Sequence, residues 1–311
     1  MAQRKPAVKP KNKKKKSLYR TRELHAMLIP GVIFTAIFAY LPIFGLVMAF
    51  QDFKPLLGFR ESAFVGLKQF RYIFTMPSFQ TAFVNTMIIS FFKIILSIGV
   101  PLILSLMLNE VTKSWFKRSV QTIVFIPYFF SWAILAGMIL EIFAYDGVIN
   151  NTLMNLFGME PTAFLVSNKY FRTIIIGSDV WKGMGYNTVL LLAAITNVDP
   201  TLYEAAQVDG AGRWKQVLHV TLPSILPMVA VLTVLGLGNI LNAGFEQILI
   251  MYNPTVEKTV DILDTLVYRM GMESHQYSAA AAMGLFKSII SLIFVGTSYW
   301  ILYKKSDYRV F

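Results

Sequence analysis

Asp199-Pro-Thr-Leu-Tyr-Glu-Ala-Ala-Gln-Val-Asp-Gly-Ala-Gly-Arg-Trp-Lys-Gln-Val-Leu-His-Val-Thr-Leu-Pro223 is a polar stretch set between two long apolar runs. It carries too many charged and hydrogen-bonding side chains to cross lipid. Asp199 is a good N-cap with Pro200 at the first helical position, so a short helix can run to about Val208. Asp209 and Gly210 then supply a turn in which a left-handed residue is easy. Residues 213–220 form a second short helix, which Pro223 is expected to end because its ring disfavours helix at Leu222. The product is a helix-turn-helix elbow. Ala205 and Ala206 beside Leu202 and Tyr203 let a partner backbone approach closely, while Glu204 and Asp209 offer it charge.

Outward from the elbow the chain is apolar. Mean hydropathy is +0.55 and only 15% of residues are charged, against about 25% in a soluble domain. Six runs reach the roughly 20 residues that a bilayer core demands: 26–50, 83–108, 120–143, 173–194, 224–244 and 282–303. Pro42 and Pro101 fall in or near spans, where membrane helices tolerate kinks. The expected fold is therefore all-α and polytopic with six transmembrane helices. It comprises a basic tail over 1–24 and a membrane domain over 25–311 that carries the elbow at about 199–223. The first run is too long for a signal peptide and reads as a retained span.

Basic residues set the orientation, since loops rich in Lys and Arg stay on the cytoplasmic side. With the tail inside, 18 basic residues fall inside and 8 outside. Both termini and the elbow are then cytoplasmic. Much of the +12 net charge comes from one N-terminal run, Lys11 to Lys16 broken by Asn12, which reads as an anchor to anionic headgroups. Charge so concentrated is not a nucleic-acid footprint. There is no Cys, and His25, His219 and His275 lie far apart in sequence, so no metal site is expected.

The elbow resembles the signature loop of the inner-membrane permeases of binding-protein-dependent ABC importers. That loop reads Glu-Ala-Ala, three residues, Gly, nine residues, Ile, one residue, Leu-Pro. The matching places here are Glu204, Ala205, Ala206, Gly210, Val220, Leu222 and Pro223, with Val for Ile the only departure. The resemblance extends over nearly the whole chain after the tail. It looks closest to the oligosaccharide branch, the LplB-type permeases associated with polysaccharide breakdown products. The stretches concerned are 64–70, 85–90, 125–132, 239–254 and 303–311.

This resemblance implies a bacterial inner-membrane permease that translocates an oligosaccharide by alternating access. It implies that Glu204, Ala205, Ala206, Asp209, Gly210, Leu222 and Pro223 couple the chain to two cytoplasmic ATPase subunits. A second permease, of a different sequence, and an extracellular substrate-binding protein complete the machine, the latter received by segments 51–82, 144–172 and 247–281. No Gly-x-x-x-x-Gly-Lys-[Ser/Thr] occurs in the chain, so ATP and Mg belong to the partner ATPase and this chain is neither an enzyme nor a cofactor carrier.

A sugar path needs aromatic faces beside amides and carboxylates that replace the water lost from hydroxyls. The candidates within spans are Glu141, Asp179, Trp181, Lys182, Asn187, Asn239, Asn242 and Glu246. The last three follow three- and four-residue steps and share a helical face. Each of them serves equally well as interhelical glue. Lys93 and Lys287 also fall inside spans, where an unpaired ammonium is costly, and Lys93 is expected to pair with a neighbouring subunit. Residues 261–272 have helical periodicity and predict a short amphipathic helix near the outer leaflet.

Two other classes are disfavoured. A membrane-embedded enzyme needs a catalytic constellation, and neither Gly-x-Ser-x-Gly nor His-Glu-x-x-His is present. A secondary transporter is expected to show internal repeats, which this sequence lacks. It has no use for an ATPase-docking elbow. A non-sugar solute carried by the same machinery is the nearer alternative.

Overall fold

A computed structural model describes residues 14–238 and 240–305, most of them helical. The first apolar run is one rod, His25–Phe50. It widens to a π turn over Ala36–Tyr40 and tightens to 3-10 geometry over Leu41–Phe50, with Pro42 in the first turn of the tightened part. The kink expected at Pro42 is thus absorbed as a change of pitch. Most of the rod's large apolar side chains are exposed, a surface suited to hydrocarbon.

The second run lies in the 34-residue helix Pro77–Glu110, which continues through Pro101. It packs along much of its length against Phe171–Thr196. The third run is not one rod. Ser114–Phe129 and Trp132–Ile142 meet at 107°. Pro127 lies in the 3-10 turn Ile126–Phe129, Phe130 is extended, and the Ser131 side chain accepts from the Ile134 backbone N–H to start the next helix.

The fifth run is longer at its start and shorter at its end than expected. One continuous helix, Arg213–Gly238, joins the elbow to the span. Pro223 therefore does not end the elbow's second helix. A π turn over Val217–Thr221, in which the Leu222 N–H bonds back to the Val217 carbonyl, precedes it. This wider turn makes room for the ring and absorbs the missing N–H. Residues 240–244 are not helical, and the helix resumes as Phe245–Met251.

Length and composition give four crossings among the described residues, or five if the bent pair counts as one, rather than six. The missing one corresponds to Phe171–Thr196, which is 26 residues long. Its Arg172, Asp179, Lys182 and Asn187 make it too polar to qualify on hydropathy.

Two apolar cores organise the protein. One gathers Ile89, Leu135, Phe171, Ile175, Ile248 and Ile262, and the other Ala49, Ile73, Phe79, Leu263, Leu266 and Met283. The segment expected to lie on the outer leaflet belongs to the second. Leu263–Tyr268 is helical with Leu263, Thr265 and Leu266 buried, so its apolar face is covered by protein instead of lipid.

Polar bonds fix this layer to the long helices. Arg172 donates to Asn85 Oδ1 at 2.7 Å and to the Thr259 carbonyl at 2.9 Å. Asp261, 2% exposed, takes two bonds from Arg269 at 2.9 and 2.6 Å and one from Thr265 at 2.7 Å. A two-stranded ribbon pairs Gln51 with Phe64 and Asp52 with Ala63.

Candidate functional site

The elbow has the geometry its sequence predicts over its first half. Asp199 caps Pro200–Val208, accepting from the Thr201 N–H at 2.9 Å. Those bonds from Thr201, backbone first, hold the Asp199 carboxyl below the ordinary carboxylate range. The cap is therefore formed at neutral pH and fails only as pH falls through that lowered value. Gly210 takes φ +73. There the Ala211 N–H reaches the Ala206 carbonyl at 2.8 Å and the Gly210 N–H the Gln207 carbonyl at 3.0 Å. This bond pair closes a helix through a left-handed residue, which glycine adopts without strain.

The two arms of the elbow are tied by the Tyr203 hydroxyl and Thr221 Oγ1 at 2.9 Å. Glu204, Ala205, Asp209 and Pro223 are exposed, while Ala206 and Leu222 are half-buried. Val208 and Trp214 are 88% and 80% exposed. Two large apolar groups are thus held out on a polar elbow.

Deeper in the protein the unwound stretch 240–244 is the centre of a second constellation. Gly244 takes φ +98, and a Cβ there would lie 2.6 Å from Lys93 Nζ. Lys93, 6% exposed, pairs with Asp179 at 3.2 Å. It donates further to the Ala243 carbonyl at 2.8 Å and Gln247 Oε1 at 2.6 Å. Gln247 Nε2 donates in turn to the Ile175 carbonyl and Ser178 Oγ, both at 2.8 Å. Lys93 thus finds its counter-charge inside its own chain, not in a neighbouring subunit. On the other side Lys287 bonds Asp264 and, at 2.8 Å, Asn242 Oδ1.

A cavity of about 370 Å3 opens beside the break, lined by Ser90, Lys93, Ser97, Asp179, Tyr186, Asn187 and Asn242 among others. It unites three of the sequence candidates, Asp179, Asn187 and Asn242. Asn187 spends its amide N–H on the Ser97 carbonyl at 2.9 Å. Trp181 lines a different, apolar cavity with Phe143, Phe164 and Tyr170. Glu141 and Glu246 are exposed and line neither cavity. Asn239 lies outside the described residues.

Lys182 serves the bent third span. Its ammonium bonds the Phe130 carbonyl, reaches the Tyr128 carbonyl at 3.5 Å and lies 5.4 Å from the Trp132 ring centre. It holds the carbonyls that the bend leaves without helical partners. Gln247 is the residue that sequence reasoning missed. It was assigned to an external segment, and its only signal was an amide in the otherwise apolar run after Glu246.

Residues 97–305 match the family described as binding-protein-dependent transport system inner membrane component. The chain is 41% identical over 278 residues to the polygalacturonan/rhamnogalacturonan transport system permease protein YteP of Bacillus subtilis, covering 89% of this chain and 87% of that one. It is 41% identical over 293 residues to Protein LplB of the same organism, covering 94% and 91%. Among solved structures it superposes with a TM-score of 0.86 at 37% identity on a chain of a bacterial alginate ABC transporter in complex with an alginate pentasaccharide-bound periplasmic protein. That match covers 95% of this chain and 99% of the other.

Proposed function

The chain belongs to the inner-membrane components of binding-protein-dependent transport systems, and from that membership we propose how its two constellations divide the work of importing an oligosaccharide. It is the permease subunit, and ATP hydrolysis takes place on a separate subunit. Its partners are a second permease, two ATPase subunits that hold ATP and Mg, and a substrate-loaded binding protein. Relatives named for polygalacturonan, rhamnogalacturonan and alginate support a polysaccharide breakdown product as the substrate.

The observation that carries this reading is mechanical continuity. The elbow at 199–223 presents Glu204, Asp209 and Trp214 to a partner, and its second arm is the start of the 26-residue helix Arg213–Gly238. A displacement imposed on the elbow is therefore carried along one continuous helix to Leu232, Leu235 and Gly236, which line the cavity. Closure of an ATPase dimer against the elbow rocks this lever and switches the cavity from one side of the membrane to the other. The elbow and both termini face the cytosol in this reading, which agrees with where Lys and Arg collect.

Reconstitution of the whole importer tests it. Gly210→Arg strains the φ +73 turn, and deletion of the elbow removes it. Both variants should insert in the membrane yet fail to copurify with the ATPase. Retained copurification from either variant overturns the coupling role.

A further inference from the structure

Two Lys–Asp pairs from different helices converge on the break at 240–244. Lys93 stands midway along Pro77–Glu110 and Asp179 on Phe171–Thr196, whereas Lys287 lies on Tyr277–Lys305 and Asp264 on Leu263–Tyr268. Each ammonium also holds a residue of the break, Ala243 through its carbonyl and Asn242 through its amide oxygen. An ammonium has three protons. Lys93 gives one each to Asp179, Ala243 and Gln247. None is left for a passing ligand, although Lys93 lines the cavity. Lys93 and Asp179 are the two charged groups among the cavity's described lining residues, and they cancel.

Resting on the permease reading above, we propose that Lys93 and Asp179 are positioning residues for transport. They clamp the break so that motion of the Arg213–Gly238 lever is passed to the two long helices that wall the cavity, and they do not read charge on the sugar. Gly244 fits this role, since its left-handed φ and the absence of a Cβ let Lys93 reach the Ala243 carbonyl. Gln247 extends the clamp by bonding two groups of Phe171–Thr196 from the far side of the break. Acidic sugars are then selected elsewhere in the importer, and this wall meets hydroxyls with the side chains of Ser90, Ser97, Tyr186 and Asn187.

The experiment compares the wild-type importer in vesicles with Lys93→Met and with the double variant Lys93→Met/Asp179→Asn, using an oligogalacturonate and an uncharged galactose oligomer as probes. Removing Lys93 alone strands Asp179 and frees the break, whereas removing both charges leaves a neutral wall. The single variant should import at least tenfold less of both probes per ATP hydrolysed. The double variant should stay as low, because the break is unheld whether or not Asp179 keeps its charge. A double variant that recovers wild-type import shows that the single loss came from the stranded carboxylate and overturns the clamp. Loss confined to the oligogalacturonate shows that Lys93 reads substrate charge and overturns it too. A wild-type importer that moves neither probe defeats the sugar reading instead. The clamp is then judged by ATP hydrolysis and melting temperature, where both variants must depart from wild type and a double variant that returns to it overturns the clamp.

Discussion

Gly244 and Lys93 form one unit in which each residue makes sense only through the other. Any side chain at Gly244 meets the Lys93 ammonium at 2.6 Å while holding φ +98. Gly244→Ala should therefore cost about 1–2 kcal/mol from the backbone alone, more once Lys93 is pushed off the Ala243 carbonyl. A lowered melting temperature of the purified protein checks this, and an unchanged one refutes the contact. The sequence shows Lys93 as a charge in an apolar run that must find a partner. It does not show which partner, because Asp179 is 86 positions away and only helix packing brings it to 3.2 Å. Lys182, a sugar-path candidate in the sequence, bonds the bend carbonyls of Tyr128 and Phe130 in the tertiary structure.

At the scale of elements, the elbow was legible to within one error. Its cap, turn and first helix follow from Asp199, Pro200 and Gly210, whose backbone preferences act locally. The error was Pro223, since a π turn upstream let the helix run through it. That relaxation depends on a turn type that single residues do not announce. The tie between the arms was also hidden, because it joins Tyr203 to Thr221 across the turn. Tyr203→Phe removes it at a net cost of about 0.5–1.5 kcal/mol. The expected result is a reconstituted importer that still binds its ATPase but transports less sugar per ATP. Unchanged coupling would show that the first arm transmits no force of its own.

For the whole molecule, the proposed topology puts the elbow and the start of the N-terminal rod on the same side of the membrane. The absence of Cys from the sequence makes single-cysteine labelling clean. Cysteines placed at Val208 and Trp214, both exposed, should react with an impermeant maleimide only from the cytosolic face of inverted vesicles. Reaction from the outer face would reverse the topology. Sequence alone determined that this is a helical membrane protein with a polar elbow, because burial of apolar residues in lipid and local turn chemistry are written in consecutive residues. Tertiary structure decided the rest: the break at 240–244, the Lys–Asp pairs, the hold of Lys182 on the bend in the third run and the fate of 261–272. Each depends on groups distant in the chain satisfying one another, and no local pattern encodes which distant groups will meet.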